Sequence, residues 1–147
     1  MSQLWLFVHL LSVIVWIGGM SFMLFCLRPA SADLLPAQRA PLMVATLERF
    51  FTQVTVAIVA MWATGLAMLL PVGMAAAPVG WHMMLAGGVV MTLVFAWIRW
   101  VVFPAARRAA GTEDLPGAAA ALGRIRMLVV VNLVVGVLTI AAATLVA

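Results

Sequence analysis

The sequence predicts an all-α integral membrane protein, an up-and-down four-transmembrane-helix bundle, and three observations carry that prediction. Two-thirds of the 147 residues are hydrophobic and only 8% are charged, against about 25% charged in ordinary globular chains. Hydropathy divides the chain into four apolar runs, about 4–27, 50–70, 81–103 and 127–146. Each is close to the roughly 20 residues needed to cross about 30 Å of hydrocarbon. The stretches between the runs are too short for a separate soluble unit, so residues 1–147 read as a single transmembrane domain whose first partner is the lipid bilayer.

The first run lacks a positively charged leader, and its apolar stretch exceeds the 7 to 15 residues of a secretory h-region, so it reads as a retained span. Prolines and glycines are expected to interrupt the helices between runs: Pro29, Pro36 and Pro41, then Pro71, Gly73, Pro78 and Gly80, then Pro104, Gly111, Pro116 and Gly117. No internal repeat is evident. The halves are alike only in being an out-to-in span, a basic connection and an in-to-out span, as any four-span chain would be.

Charge reports topology. The chain has no lysine, and its arginines fall in two groups, Arg28, Arg39 and Arg49 around the first connection and Arg99, Arg107, Arg108, Arg124 and Arg126 around the third. The positive-inside rule puts both connections in the cytoplasm and both termini outside. Asp33, Glu48, Glu113 and Asp114 fall on the same side, and Glu48 is expected to pair with Arg28 or Arg99. The arginines form no basic stripe, so no nucleic-acid partner is indicated.

On the outer side histidine is the one ionisable side chain left. His9 and His82 lie near the outer ends of the first and third runs, at similar depth. In an up-and-down bundle these helices face each other across the core. Two facing imidazoles can hold a haem b iron from both sides, and a copper ion could use the same pair. Polar residues within spans are functional candidates by default; a histidine near a helix end can equally sit in the headgroup region, His82 above all. Gly65 lies at the depth of His9 and could open space for a flat cofactor, while Trp16 lies two turns below His9 and could floor a pocket or fill the core. The remaining span glycines read as helix-packing residues.

Soft ligands suit Cu(I). Met20, Met23 and Cys26 recur every three residues in the first run, and Met83 and Met84 adjoin His82. Methionine is also a common filler of apolar cores. Trp5, Trp81, Trp97 and Trp100 read as interfacial anchors, and Asn132 as an interhelical hydrogen-bonding residue. No phosphate-binding loop, nucleophile elbow, zinc-protease helix or paired intramembrane carboxylates occur, so hydrolytic chemistry is unsupported.

The pattern His9, Trp16-Ile17-Gly18-Gly19-Met20 and Leu27-Arg28-Pro29-Ala30 resembles the first helix of the CopD-like (copper resistance D) bacterial inner-membrane proteins. The likeness continues in Glu48-Arg49-Phe50-Phe51 with Thr64-Gly65, in Trp81-His82-Met83-Met84, and in Arg124-Ile125-Arg126 with Asn132 and Gly136. It implies a bacterial inner-membrane location and a role in copper resistance or uptake, with His9 and His82 as ligands. The chain is more weakly similar to the HemJ membrane protoporphyrinogen oxidases, which carry haem b. A lysine usual after their third-helix histidine is replaced here by Met83, so their enzymatic activity is not implied. Three functions are thereby expected in turn. The first is a haem b protein transferring electrons near the periplasmic face, an oxidoreductase or carrier. The second is a copper-binding or copper-transporting protein, and the third a non-catalytic membrane subunit. A redox or metal-delivery partner on the periplasmic side and a homo-oligomer are compatible with each.

Overall fold

The computed structural model describes residues 2–146. Four long helices account for nearly all of them: α1 (Gln3–Ser31), α2 (Pro36–Val72), α3 (Val79–Gly111) and α4 (Leu115–Leu145), each long and apolar enough to cross a membrane. The described residues contain no strand. Large apolar side chains such as Leu10, Phe25, Val59, Leu93 and Leu138 point outward, as lipid-facing residues must when the solvent is hydrocarbon.

The helices outrun the apolar runs. At 1.5 Å per residue α2 is about 55 Å long, well beyond the hydrocarbon thickness, and the excess lies at the arginine end. Pro36 starts α2 and Pro41 is carried inside it, so these prolines do not break the chain as expected. Pro29 and Pro104 are also accommodated, each by the same device. Met23–Leu27 in α1 and Ile98–Val102 in α3 form π turns, in which Arg28 N–H bonds to Met23 O and Phe103 N–H to Ile98 O. A proline has no N–H to offer and its ring crowds the carbonyl four residues back; a wider turn immediately before it removes the conflict. The helices end where backbone demands it. Gly73 closes α2 at φ 78° with its N–H on Leu69 O, and Asp114 caps α4 by accepting from Gly117 N–H at 3.0 Å.

α1 packs chiefly on α2, and α3 on α4, with α1 also against α4. Glycines let the helices close. A Cβ on Gly19 would strike the Phe50 ring, one on Gly87 would strike Thr139, and one on Gly80 would lie 2.8 Å from Ala143 O. An aromatic chain joins the two hairpins toward the arginine end: Trp16 to Phe95 at 6.1 Å, Phe95 to Phe51 at 5.7 Å, and Phe51 to Phe103 at 5.1 Å between ring centroids, all edge-to-face. Glu48 pairs with Arg107 at 3.1 Å, not with Arg28 or Arg99. The pair is half-exposed, so its contribution is at most about 1 kcal/mol.

The two hairpins are copies of one plan. Pro29 and Pro104, Pro41 and Pro116, Arg49 and Arg124, and Thr64 and Thr139 are each 75 residues apart, and the two π turns are separated by the same interval. Burial follows it too: Trp16 and Met91, Met20 and Phe95, Met23 and Ile98, Ser31 and Ala106, Met43 and Ala118, Val54 and Val129, and Ala57 and Asn132 are buried in both halves. This corrects the sequence reading, in which no repeat was evident. Few identities accompany the correspondence, which lies in the positions of prolines, wide turns and buried residues.

Candidate functional site

His9 is held by α2. Its Nδ1–H donates to Met61 O at 3.0 Å and reaches the Thr64 hydroxyl at 3.2 Å, while that hydroxyl donates to Ala60 O at 2.7 Å. A carbonyl oxygen can only accept, so Nδ1 carries the proton and Nε2 keeps its lone pair. Among the described residues Nε2 makes no hydrogen bond. Gly65 makes this seat possible: a Cβ there would stand 3.2 Å from Cε1 and 3.5 Å from Nδ1 of His9. Gly65 therefore accommodates the imidazole itself. From the sequence Thr64 stood out only as part of the Thr64-Gly65 family likeness and the Met61 carbonyl not at all, while the depth match between Gly65 and His9 pointed to the same stretch.

His82 has a different setting. It is exposed on the first turns of α3, with Nδ1–H donating to Pro78 O, one turn back, at 3.1 Å. Among the described residues its Nε2 makes no hydrogen bond. The two histidines share no hydrogen bond, and neither lines the two cavities described, which both lie at the arginine end. Trp16 is buried and its ring is edge-on to Phe95, so it serves the core.

The soft ligands divide. Met20 and Met23 are buried, but Cys26, within the π turn, is exposed, so the three do not form a ladder along one face. Met83 is exposed and Met84 half-buried beside His82. Among the described residues no three His, Cys, Asp or Glu side chains gather as a metal site; any ligand set here would combine imidazole with thioether. Two interhelical polar contacts, one half-buried and one buried, lie along the bundle. Trp62 Nε1–H donates to Thr92 at 3.0 Å and Asn132 Nδ2–H to Met91 O at 3.3 Å, the interhelical role expected of Asn132, while Asn132 Oδ1 is buried without a partner.

The chain is a multi-pass membrane protein of four helices with a carbonyl-oriented histidine near one end. The family model for copper resistance protein D, CopD, matches residues 44–146, and the chain belongs to that family. The matched region contains Thr64, Gly65, His82, Met83 and Met84, whereas His9 and Trp16 precede it. No curated protein and no solved structure matches the chain.

Proposed function

We propose that this protein binds copper at the histidine end of its bundle, with His9 as principal ligand and His82, flanked by Met83 and Met84, at the mouth of the route. One observation carries the reading: the 3.0 Å bond from His9 Nδ1 to Met61 O. Metal-binding histidines are oriented in this way, one ring nitrogen tied to a carbonyl and the other presented to the metal. Membership of the copper resistance D family supports copper as the cargo, and imidazole with thioether suits Cu(I). The grouping of the arginines supports a bacterial inner-membrane orientation with their end in the cytoplasm and both termini in the periplasm. Copper would then meet the protein from the periplasmic side, where a delivery partner would dock.

A haem b held between His9 and His82 is the second reading, favoured by the fact that both imidazoles offer Nε2 as an axial ligand would. The remaining residues do not fit a macrocycle, because Gly65 is taken up by His9 and Trp16 by Phe95. Metal analysis and a visible spectrum of the purified protein separate the readings. Bound Cu(I) without a Soret band is expected, with His9→Ala lowering copper affinity about tenfold or more and His82→Ala lowering it less. A Soret band without copper would sink the proposal in favour of haem, and a colourless protein that takes no copper would leave the non-catalytic subunit. Reporter fusions at both termini are expected to signal outside.

A further inference from the structure

At the arginine end, a cavity of about 320 Å³ opens between α3 and α4 and is largely apolar; a second, of about 300 Å³, is different in kind. It lies where α1, α2 and the start of α4 converge, and its walls include Arg28, Ser31, Arg39, Met43, Leu115 and Leu122. No carboxylate lines it. Arg126 adds its charge to those of Arg28 and Arg39. The described residues hold a single salt bridge, between Arg107 and Glu48, so the arginines of this cavity are without carboxylate partners. Pro36, also in the wall, is the first residue of α2, whose uncapped N-terminus adds partial positive charge, whereas the N-terminus of α4 at Leu115 carries the Asp114 carboxylate as its cap.

In the second hairpin the positions corresponding to Arg28 and Arg39 do not carry arginine. Seventy-five residues on from Arg28 stands Phe103, and from Arg39 stands Asp114. Phe103 is completely buried in the aromatic chain, and Asp114 caps α4. Those two positions thus carry a ring, packed under Arg99 and Arg107, and a helix cap, whereas Arg28 and Arg39 line a cavity. Guanidinium groups clustered without counter-ions repel one another, and a bound anion relieves that repulsion.

We propose that this cavity binds a phosphate-bearing anion, with Arg28 and Arg39 as the fork-like donors, and that its usual occupant is the headgroup of an anionic phospholipid. A phosphate accepts paired N–H bonds from arginine, and basic pockets between helices at the cytoplasmic boundary suit such headgroups. The cavity lies beyond the apolar run of α1, where a headgroup would sit. The site is independent of the copper reading.

Native mass spectrometry of the full-length protein, with phosphatidylglycerol or phosphatidylcholine added, tests it. Phosphatidylglycerol is expected to be retained through higher activation energies than phosphatidylcholine. The double variant Arg28→Gln/Arg39→Gln is expected to weaken its binding about tenfold or more, given the strength of charge-assisted hydrogen bonds. Arg28→Lys/Arg39→Lys, which keeps charge without the fork, is expected to fall between, and Arg108→Gln, away from the cavity, to match the unaltered protein. If the glutamine variant does not fold, the lysine variant alone carries the comparison. Inorganic phosphate that stabilises the protein against heat in an Arg28- and Arg39-dependent way would identify the free anion as a source for the same site. Equal retention of the two lipids with no phosphate effect, or an equal loss in Arg108→Gln, would overturn the proposal.

Discussion

At the scale of single residues, the seat of His9 depends on its neighbours in α2 being small and correctly bonded. Gly65→Ala would bring a Cβ to 3.2 Å from Cε1 of the imidazole, tight enough that the ring must yield by tenths of an ångström. The expected outcome is weaker copper binding, about tenfold, with the melting temperature nearly unchanged. Gly18→Ala, where a Cβ would meet nothing within 4 Å, is the control and should alter neither. Thr64→Val removes a hydroxyl but leaves the Met61 carbonyl, so copper affinity should fall less than in Gly65→Ala; a larger fall would mean that Thr64 is the main support. A second residue-scale strain lies in a turn, two residues before Leu115 of the cavity wall. Glu113 adopts φ 57° in the α3–α4 turn, a left-handed conformation that costs a residue with a side chain about 1 kcal/mol or more. Glu113→Gly removes that cost but enlarges the freedom of the unfolded chain. A net gain of up to about 1 kcal/mol in detergent unfolding is expected, and a loss would show that the Glu113 side chain has a role of its own. Neither His9's partners nor this turn was legible in the sequence, because both depend on contacts between distant or oppositely placed backbone.

At the scale of elements, the four helices were legible because lipid demands long apolar runs with satisfied backbone, and composition alone states where they are. Their limits were not. Proline was read as a helix stop, yet α1, α2 and α3 all run past prolines, and in α1 and α3 a widened turn precedes the proline. The wide turn also corrects register. An ideal α-helix advances 100° per residue, so Ser31 would come round about 100° away from Ser12; a π turn absorbs one extra residue and returns Ser31 to the buried side with Ser12, Trp16 and Met20. If burial is what holds the turn, proline is its beneficiary and not its cause. Pro29→Ala should then leave the π turn in place. Cys26 lies within it and faces outward, so the rate of its labelling by an apolar maleimide should stay the same. A changed rate would mean that Pro29 sets the register and that α1 rotates without it.

At the scale of the whole molecule, the plan shared by the two hairpins bears on how they assemble. The topology of each half, a hairpin with its basic turn at one end, was read correctly; the repeat was not, because its signature is positional and needs burial and helix geometry to become visible. The halves differ at the places where they meet. Phe103 is fully buried where the first half has Arg28, so a hairpin of the first kind paired with itself would have to bury a guanidinium in the aromatic chain, which is costly without a partner. Unlike halves instead bring together Trp16 with Phe95, Phe51 with Phe103, Trp62 with Thr92, and Glu48 with Arg107. Helices inserted separately can associate through such packing and hydrogen bonds inside the bilayer. The α2–α3 connection is therefore expected to be dispensable for assembly. Fragments 1–77 and 78–147, co-expressed with a tag on the first, are expected to purify together from the membrane. In competition, tagged 1–77 should capture 78–147 in preference to a second, untagged 1–77. Capture of 1–77 in equal amount would show that the surfaces joining the hairpins are still interchangeable, and recovery of neither would show that the covalent link is needed to bring the two halves into register.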